Sequence, residues 1–399
     1  MTPGKSRAYA AYALGLLTVI NLLNYLDRNV IFALFEPIKR DLSLSDTELG
    51  WLGAAYILVF SVAALPLGVL SDLRSRRAVI AGGVAVWSAF TFLGGLARSF
   101  WQLFTCRAAV GIGEAAFAPA ASSLVADYYP GRSRAAAMSI LSSGLAFGGV
   151  LGIMLGGLLE KAYGWRVAFM TVGVPGFLCA LLVSRLADPT RSHPPVRLTP
   201  LVIERGLRRF VLQFHPLLIG TLLGGLATLL LALRLGGDAE ADVAALGAGV
   251  GLGVVAQIAY WIRAVRQHHP ERMPMGAHMD EAFAELSEAA HRVLGTPTLV
   301  YVFLSGALIS FGMNGIVGWG PAFLARERGL DSADAATLLG GAGLVAGVAG
   351  TLTGGAVADW WYRRDRRARV LAVALSLIAG SLLTIVTLLS RDLGTFRLL

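Results

Sequence analysis

The sequence predicts an all-α membrane protein with about 11 transmembrane helices, and three observations lead there. Of its 399 residues 56% are hydrophobic and only 15% charged, whereas roughly a quarter of an average soluble domain is charged. Apolar runs near the ~20 residues that cross a bilayer core as a helix recur from one end to the other. The basic residues, which give a net charge of +9, gather in alternate connections between those runs. Anionic lipid headgroups explain that excess without any nucleic-acid partner.

Taken in order, spans are expected at 11–35, 48–71, 78–97, 101–127, 135–160 and 166–187. The first is too long for a cleavable signal and carries Asp27 and Arg28. The polar stretch "RLADPTRSHPPVRLTP" then opens a central segment, 188–297, holding a hairpin of two further runs at 216–235 and 243–264 around "GGDAEAD". The amphipathic "DEAFAELSEAAHRV" leads to spans at 298–325, 333–357 and 369–389. With the N-terminus cytoplasmic, inside segments hold 22 of the 34 Lys and Arg and outside segments nine, as the positive-inside rule requires.

Four ionisable residues fall inside apolar runs. "NLLNYLDRNV" places Asp27 beside Arg28, with Asn24 and Asn21 about one and two turns earlier. "RAAVGIGEA" places Arg107, Gly111 and Glu114 on one helix face. Arg107 and Glu114 lie about 10.5 Å apart along the axis, too far to pair, so each needs a partner from elsewhere. A charge at a helix centre costs about 2.5–3.5 kcal/mol on insertion scales. Asp27 and Arg28 with Arg107 and Glu114 sum to zero charge, and all four are expected around one hydrated cavity. There a carboxylate can change protonation as water access changes.

An internal repeat aligns Ser45–Asp72 with Ser332–Asp359 at an offset of 287, so Gly53, Gly68 and Asp72 meet Gly340, Gly355 and Asp359. Basic clusters, "LRSRR" and "WWYRRDRR", follow both copies. Repeated halves rocking about a central site are a common transporter plan. In "GVLSDLRSRR", Gly68 permits close helix approach, Asp72 accepts hydrogen bonds, and Arg76 and Arg77 can pair across the halves as a charged latch. The same offset sets Asn314 opposite Asp27, although Pro37 and Pro321 differ by 284; Tyr301, Asn314 and Trp319 are expected to line the cavity. Gly144, Gly148, Gly152 and Gly156 recur every fourth residue and read as a packing ridge.

Other chemistry is not expected. Cys106 and Cys179 sit in apolar runs, unsuited to a disulfide. The six histidines (193, 215, 268, 269, 278 and 291) show no metal-ligand spacing. The G-x-G of "RAAVGIGEA" follows no strand and is not a dinucleotide site. No nucleophile–base pair or phosphate loop stands out, so neither an enzyme nor a cofactor is expected.

"GVLSDLRSRR", "RAAVGIGEA" and "YGWRVAF" resemble the major facilitator superfamily. "NYLDRNV", "LSLSDTELG", "GIGEAAFAP" and "SSLVADYYP" are similar to its Spinster-like branch, densely over residues 20–180 and again in "GWGPAFLARERGL". The resemblance implies two six-helix bundles working by alternating access, with lysophospholipid or sphingolipid-type cargo exported by relatives. By position, Asp27, Arg28 and Glu114 match residues implicated there in proton coupling or transport, and Asp72, Arg76 and Arg77 the cytoplasmic gate.

The chain departs from the pattern in having Ser75 where glycine is usual, no proline in the helix-five motif, and the extra 216–264 hairpin. "GTFRLL" resembles the start of "FTCRAAVG", so the chain is expected to stop where the tenth helix of the common plan begins. That leaves residues 1–187 as a complete N-terminal bundle and 298–399 as an incomplete C-terminal one with three helices missing. The expected role is a monomeric, proton-linked transporter of a lipid or small organic solute in a bacterial inner membrane. An organic-anion symporter, and a membrane sensor or non-transporting fragment, are the alternatives.

Overall fold

A computed structural model describes residues 7–131, 133–188, 215–216, 218–227, 230, 239–267, 292–293, 295–365 and 367–390. They are helical, with no strand among them. Among the described residues eight helices are long and apolar enough to cross a membrane, and the hairpin adds two shorter apolar stretches, Leu218–Ala227 and Ala244–Gln257. The fold class expected from the sequence is therefore the one observed. Most of the central segment, including 280–291, the "GTFRLL" stretch and every histidine but His215, lies outside the described residues.

Helix α1 (Arg7–Ala33) breaks at Leu34 into a short helix, α2 (Phe35–Leu42), which starts where the expected 11–35 span ends. Pro37 is tolerated in α2 because the amides of a first turn have no intrahelical partner. A left-handed residue, Ser43 at φ 53°, ends it. Helix α3 (Asp46–Leu73) starts with a capping box: the Glu48 amide donates to Ser45 Oγ, and the Ser45 amide donates back to Glu48 Oε2 at 2.8 Å. Helix α4 (Arg76–Gly94) is capped from a distance, since the Arg76 amide donates to Asp188 Oδ2 at 2.8 Å.

The expected fourth span is two helices, α5 (Phe100–Ala115) and α6 (Phe117–Tyr128), interrupted at Ala116. Pro119 lacks the N–H that would bond the Ala115 carbonyl, so the chain tightens there, with the Ala116 amide donating to the Gly113 carbonyl at 3.4 Å. Helix α7 (Ser133–Tyr163) turns at Gly164, φ 84°, into α8 (Trp165–Ser184).

The glycine ridge of α7 does what its spacing suggests. A Cβ at Gly144 would sit 2.8 Å from the Leu22 amide nitrogen of α1, and one at Gly152 would sit 3.0 Å from Leu26 Cα. Backbones therefore meet directly along the α1–α7 seam. Gly83 of α4 and Gly113 of α5 face each other in the same way, and Gly111 of α5 lets the α3 backbone in at Tyr56 and Phe60.

The central segment holds α9 (Leu218–Ala227) and α10 (Ala239–Gln267), and α11 (Pro297–Arg328), α12 (Ser332–Tyr362) and α13 (Ala368–Leu389) follow it. Gly220 and Gly224 of α9 oppose Gly253 and Gly249 of α10, and Gly247 packs on Trp51 of α3. Helices α11 and α12 meet the first eight helices on the face that carries α2. There Trp319 packs on Phe35, with ring centroids 5.4 Å apart, and Gly157 meets Ala333 and Ala336. Arg326 bonds Glu36 at 2.6 Å and Asp46 at 2.7 and 2.9 Å, and Lys161 bonds Asp334 at 3.2 Å.

Two apolar cores fill the first eight helices. One includes Leu17, Ile20, Tyr56, Val110 and Leu124; the other includes Val30, Ile31, Phe35, Leu103 and Phe169. On α1 the first core ends at Ile20 and the second begins at Val30, which leaves the segment carrying Asp27 and Arg28 between them.

Candidate functional site: a charged layer between two apolar cores

Asp27 and Arg28 are neighbours in sequence but about 100° apart around α1, so they leave the helix in different directions. Asp27 turns toward α4 and α5. Its Oδ1 accepts from Arg107 Nη1 at 3.4 Å, and its Oδ2 accepts a short hydrogen bond from Thr91 Oγ1 of α4. Arg28 turns toward α3 and α5, and its Nη2 donates to Glu114 Oε2 at 3.1 Å. It also donates to Asn24 Oδ1 at 3.4 Å, one turn back, the direction in which long helical side chains lean. The charges thus resolve into two neutral pairs, which is how a low-dielectric interior accommodates them.

The pairs differ in exposure. The side chains of Asp27 and Arg107 are 3% and 2% exposed; that of Glu114 is 0%, and that of Arg28 24%. The sequence reading placed all four around an open cavity. Three are buried, because α3, α4 and α5 close over them through Gly83, Gly111 and Gly113, and of the four only Arg28 is partly exposed. Arg28 lies against three rings, its Cζ 4.5 Å from the Tyr25 centroid, 4.6 Å from Tyr56 and 5.2 Å from Phe60. Tyr56 also lies 5.9 Å from Arg107 Cζ. Glu114 Oε1, Tyr56 Oη and the Nε atoms of Arg28 and Arg107 have no hydrogen-bond partner among the described residues.

The remaining expected residues are scattered. Asn24 is buried beside Arg28, but Asn21 donates to the Leu141 carbonyl at 2.8 Å and ties α1 to α7. Trp319 packs on Phe35 of α2. Tyr301 is 71% exposed, and Asn314, also exposed, donates to the Ser310 carbonyl of its own helix. Neither touches the charged layer in this arrangement.

Of the expected latch, Arg76 bonds Asp127 and Ser123 of α6, at 2.6 and 2.8 Å, and Asp188, just past α8, at 3.0 Å. Arg77 donates to the Leu186 carbonyl at 2.8 Å. A Cβ on Gly68 would meet nothing within 4 Å, so no close approach requires this glycine here. The Asp72 and Asp359 side chains and the surroundings of Gly355 lie outside the described residues.

Thr91, Tyr25, Tyr56 and Phe60 were missed by the sequence reading. Tyr25 stood inside the quoted motif, but an aromatic or a threonine in an apolar run carries no mark of what it will face.

The Major Facilitator Superfamily model matches residues 17–396. The chain belongs to the Major Facilitator Superfamily. Within the superfamily it is 34% identical over 203 residues to an MFS-type efflux pump of Mycolicibacterium smegmatis, covering 51% of this chain and 46% of that protein. It is 28% identical over 183 residues to the protein spinster of Drosophila melanogaster, covering 46% and 30%. A sphingosine-1-phosphate transporter, SPNS2, of Xenopus tropicalis is 32% identical over 185 residues, covering 45% and 36%. The chain spans less than half the length of these curated relatives. Among solved superfamily members, a mutant of the peptide transporter POT with alafosfalin shares the fold, at a TM-score of 0.60 and 17% identity over 92% of this chain and 70% of that one. The Spinster-like resemblance read from the motifs agrees with these relatives.

Proposed function

We propose that the chain is a secondary transporter working by alternating access, linked to protons, whose cargo carries an anionic group on an amphipathic or small organic body. The observation that carries this reading is the Arg28–Glu114 pair: a guanidinium with an open side, bonded at 3.1 Å to a wholly buried carboxylate. An anion reaching Arg28 competes with Glu114 for the same cation. Once displaced, Glu114 is left buried without its counter-ion, and taking a proton is the change that relieves it. Anion binding and proton uptake are then joined at one arginine. Asp27, both of whose oxygens are engaged by Arg107 and Thr91, holds the layer together.

The two halves of the machine are residues 1–187 and 298–399, joined by the 188–297 segment, in a single copy. The N-terminus is cytoplasmic, and the membrane is a bacterial inner membrane. On this orientation the seal made by Arg326, Trp319 and Lys161 lies outside. These contacts support an inward-open arrangement.

A second reading, an organic-anion symporter, is favoured by the same exposed cation, which suits a sugar acid as well as a phosphorylated lipid. The test is uptake into proteoliposomes with a pH gradient, offering sphingosine-1-phosphate and D-glucarate separately. Wild-type uptake should follow the gradient, and Glu114→Gln should lose that dependence. If Glu114→Gln remains fully gradient-driven, the coupling assignment is wrong. Uptake of glucarate without the lipid would select the symporter.

A further inference from the structure

We infer that Tyr56 is a positioning residue for cargo: its ring holds the Arg28 guanidinium at the opening when Glu114 lets it go, and keeps it apart from the Asp27–Arg107 pair. The inference rests on the transport reading above but goes beyond it, to a side chain with no charge to exchange. Tyr56 is brought there by Gly111, since a Cβ on that glycine would lie 2.7 Å from the Tyr56 carbonyl oxygen and 3.0 Å from the Phe60 nitrogen. The ring is 2% exposed and lies over both guanidiniums, 4.6 Å from Arg28 and 5.9 Å from Arg107.

While Glu114 is charged, its carboxylate fixes Arg28. Once it is protonated, that attraction is gone, and Asp27, the preceding residue, is another anion of the same layer. Asp27 already accepts from Arg107 and from Thr91, so an arginine swinging to it would break the anchor of the layer. The faces of Tyr25, Tyr56 and Phe60 offer the guanidinium another favourable place, because a ring face is negative and a desolvated cation there is held appreciably. Tyr56 belongs to α3, whereas Tyr25 sits on the arginine's own helix. Tyr56 therefore fixes Arg28 relative to the bundle, and this preorganisation lowers what cargo binding must spend on ordering the side chain.

The experiment is sphingosine-1-phosphate and D-glucarate uptake by wild type, Arg28→Ala, Tyr56→Leu and Tyr56→Phe, with KM and kcat separated. Tyr56→Leu should raise KM about 3- to 30-fold, the range a desolvated cation–π contact spans, with kcat within about twofold. Tyr56→Phe, which keeps the face and loses the hydroxyl, should restore KM to within about threefold of wild type. If leucine and phenylalanine behave alike, whether both normal or both impaired, the inference is overturned. Should Tyr56→Leu not fold, Tyr56→Met, which fills the site without a ring face, takes its place and must raise KM; an unchanged KM there overturns the inference as well. A wild type that moves neither probe takes the transport reading down, and this inference with it. A wild type that transports and an Arg28→Ala that does not, beside indifferent Tyr56 variants, sinks this inference alone.

Discussion

Removing one member of the Asp27–Arg107 pair should damage the protein far more than removing both. At 3.4 Å and an effective dielectric of about 20, the attraction is about 5 kcal/mol, offset in large part by the desolvation of two buried charges. Asp27→Asn leaves Arg107 only neutral partners, among them the Arg28 carbonyl 3.5 Å away, and a buried cation without an anion costs about 3–5 kcal/mol. Arg107→Met leaves Asp27 with Thr91 alone, at a similar cost. The double variant removes both charges, so its loss should be about 1 kcal/mol. In thermal melts of the purified chain in detergent, each single variant should lower the midpoint by roughly 6–20 °C, at ~2–4 °C per kcal/mol. The double variant should fall by no more than about 4 °C. A double variant that loses the sum of the two singles would show that the charges do not compensate each other, and the two-pair description of the layer would be wrong.

Other expectations concern the scaffold and the seal. Gly152→Val places a branched side chain where even a Cβ would lie 3.0 Å from Leu26 Cα; it should cost about 1–3 kcal/mol by overpacking, read in the same melts, whereas Gly225→Val, with open space around it, should be near neutral. Arg326→Ala deletes the bonds to Glu36 and Asp46, and should speed labelling of a cysteine at Gly50, beside Trp319, by a membrane-impermeant maleimide in a background without Cys106 and Cys179. An unchanged labelling rate would mean that the seal does not hold these ends together. Arg76→Lys keeps the charge but loses the fork that reaches Asp127, Asp188 and Ser123 at once, and should destabilise by about 2 kcal/mol; a melt equal to wild type would deny Arg76 that bracing role.

What the sequence by itself determined is whatever depends on one side chain and its solvent. Apolar runs must be membrane helices because no other backbone form hides its polar groups along a single segment. Asp27, Arg28, Arg107 and Glu114 stood out because a charge in such a run is costly whoever its partner is. The ridge from Gly144 to Gly156 was legible because a helix stacks every fourth residue on one face.

Only the tertiary structure decided who meets whom. That Arg28 takes Glu114 and Asp27 takes Arg107 follows from how α1, α3 and α5 cross, and neither sequence distance nor charge count contains it. Thr91, Tyr25, Tyr56 and Phe60 enter for the same reason. Arg76 turned inward to Asp127 and Asp188 because its neighbours in space are the ends of α6 and α8. Asn21 was spent on the α7 backbone, while Tyr301 and Asn314 stayed away from the charged layer. Burial of a residue type has a cost that is local and additive enough to read from a string of letters; pairing is a property of geometry between segments far apart in the chain, and it exists only once the helices have packed.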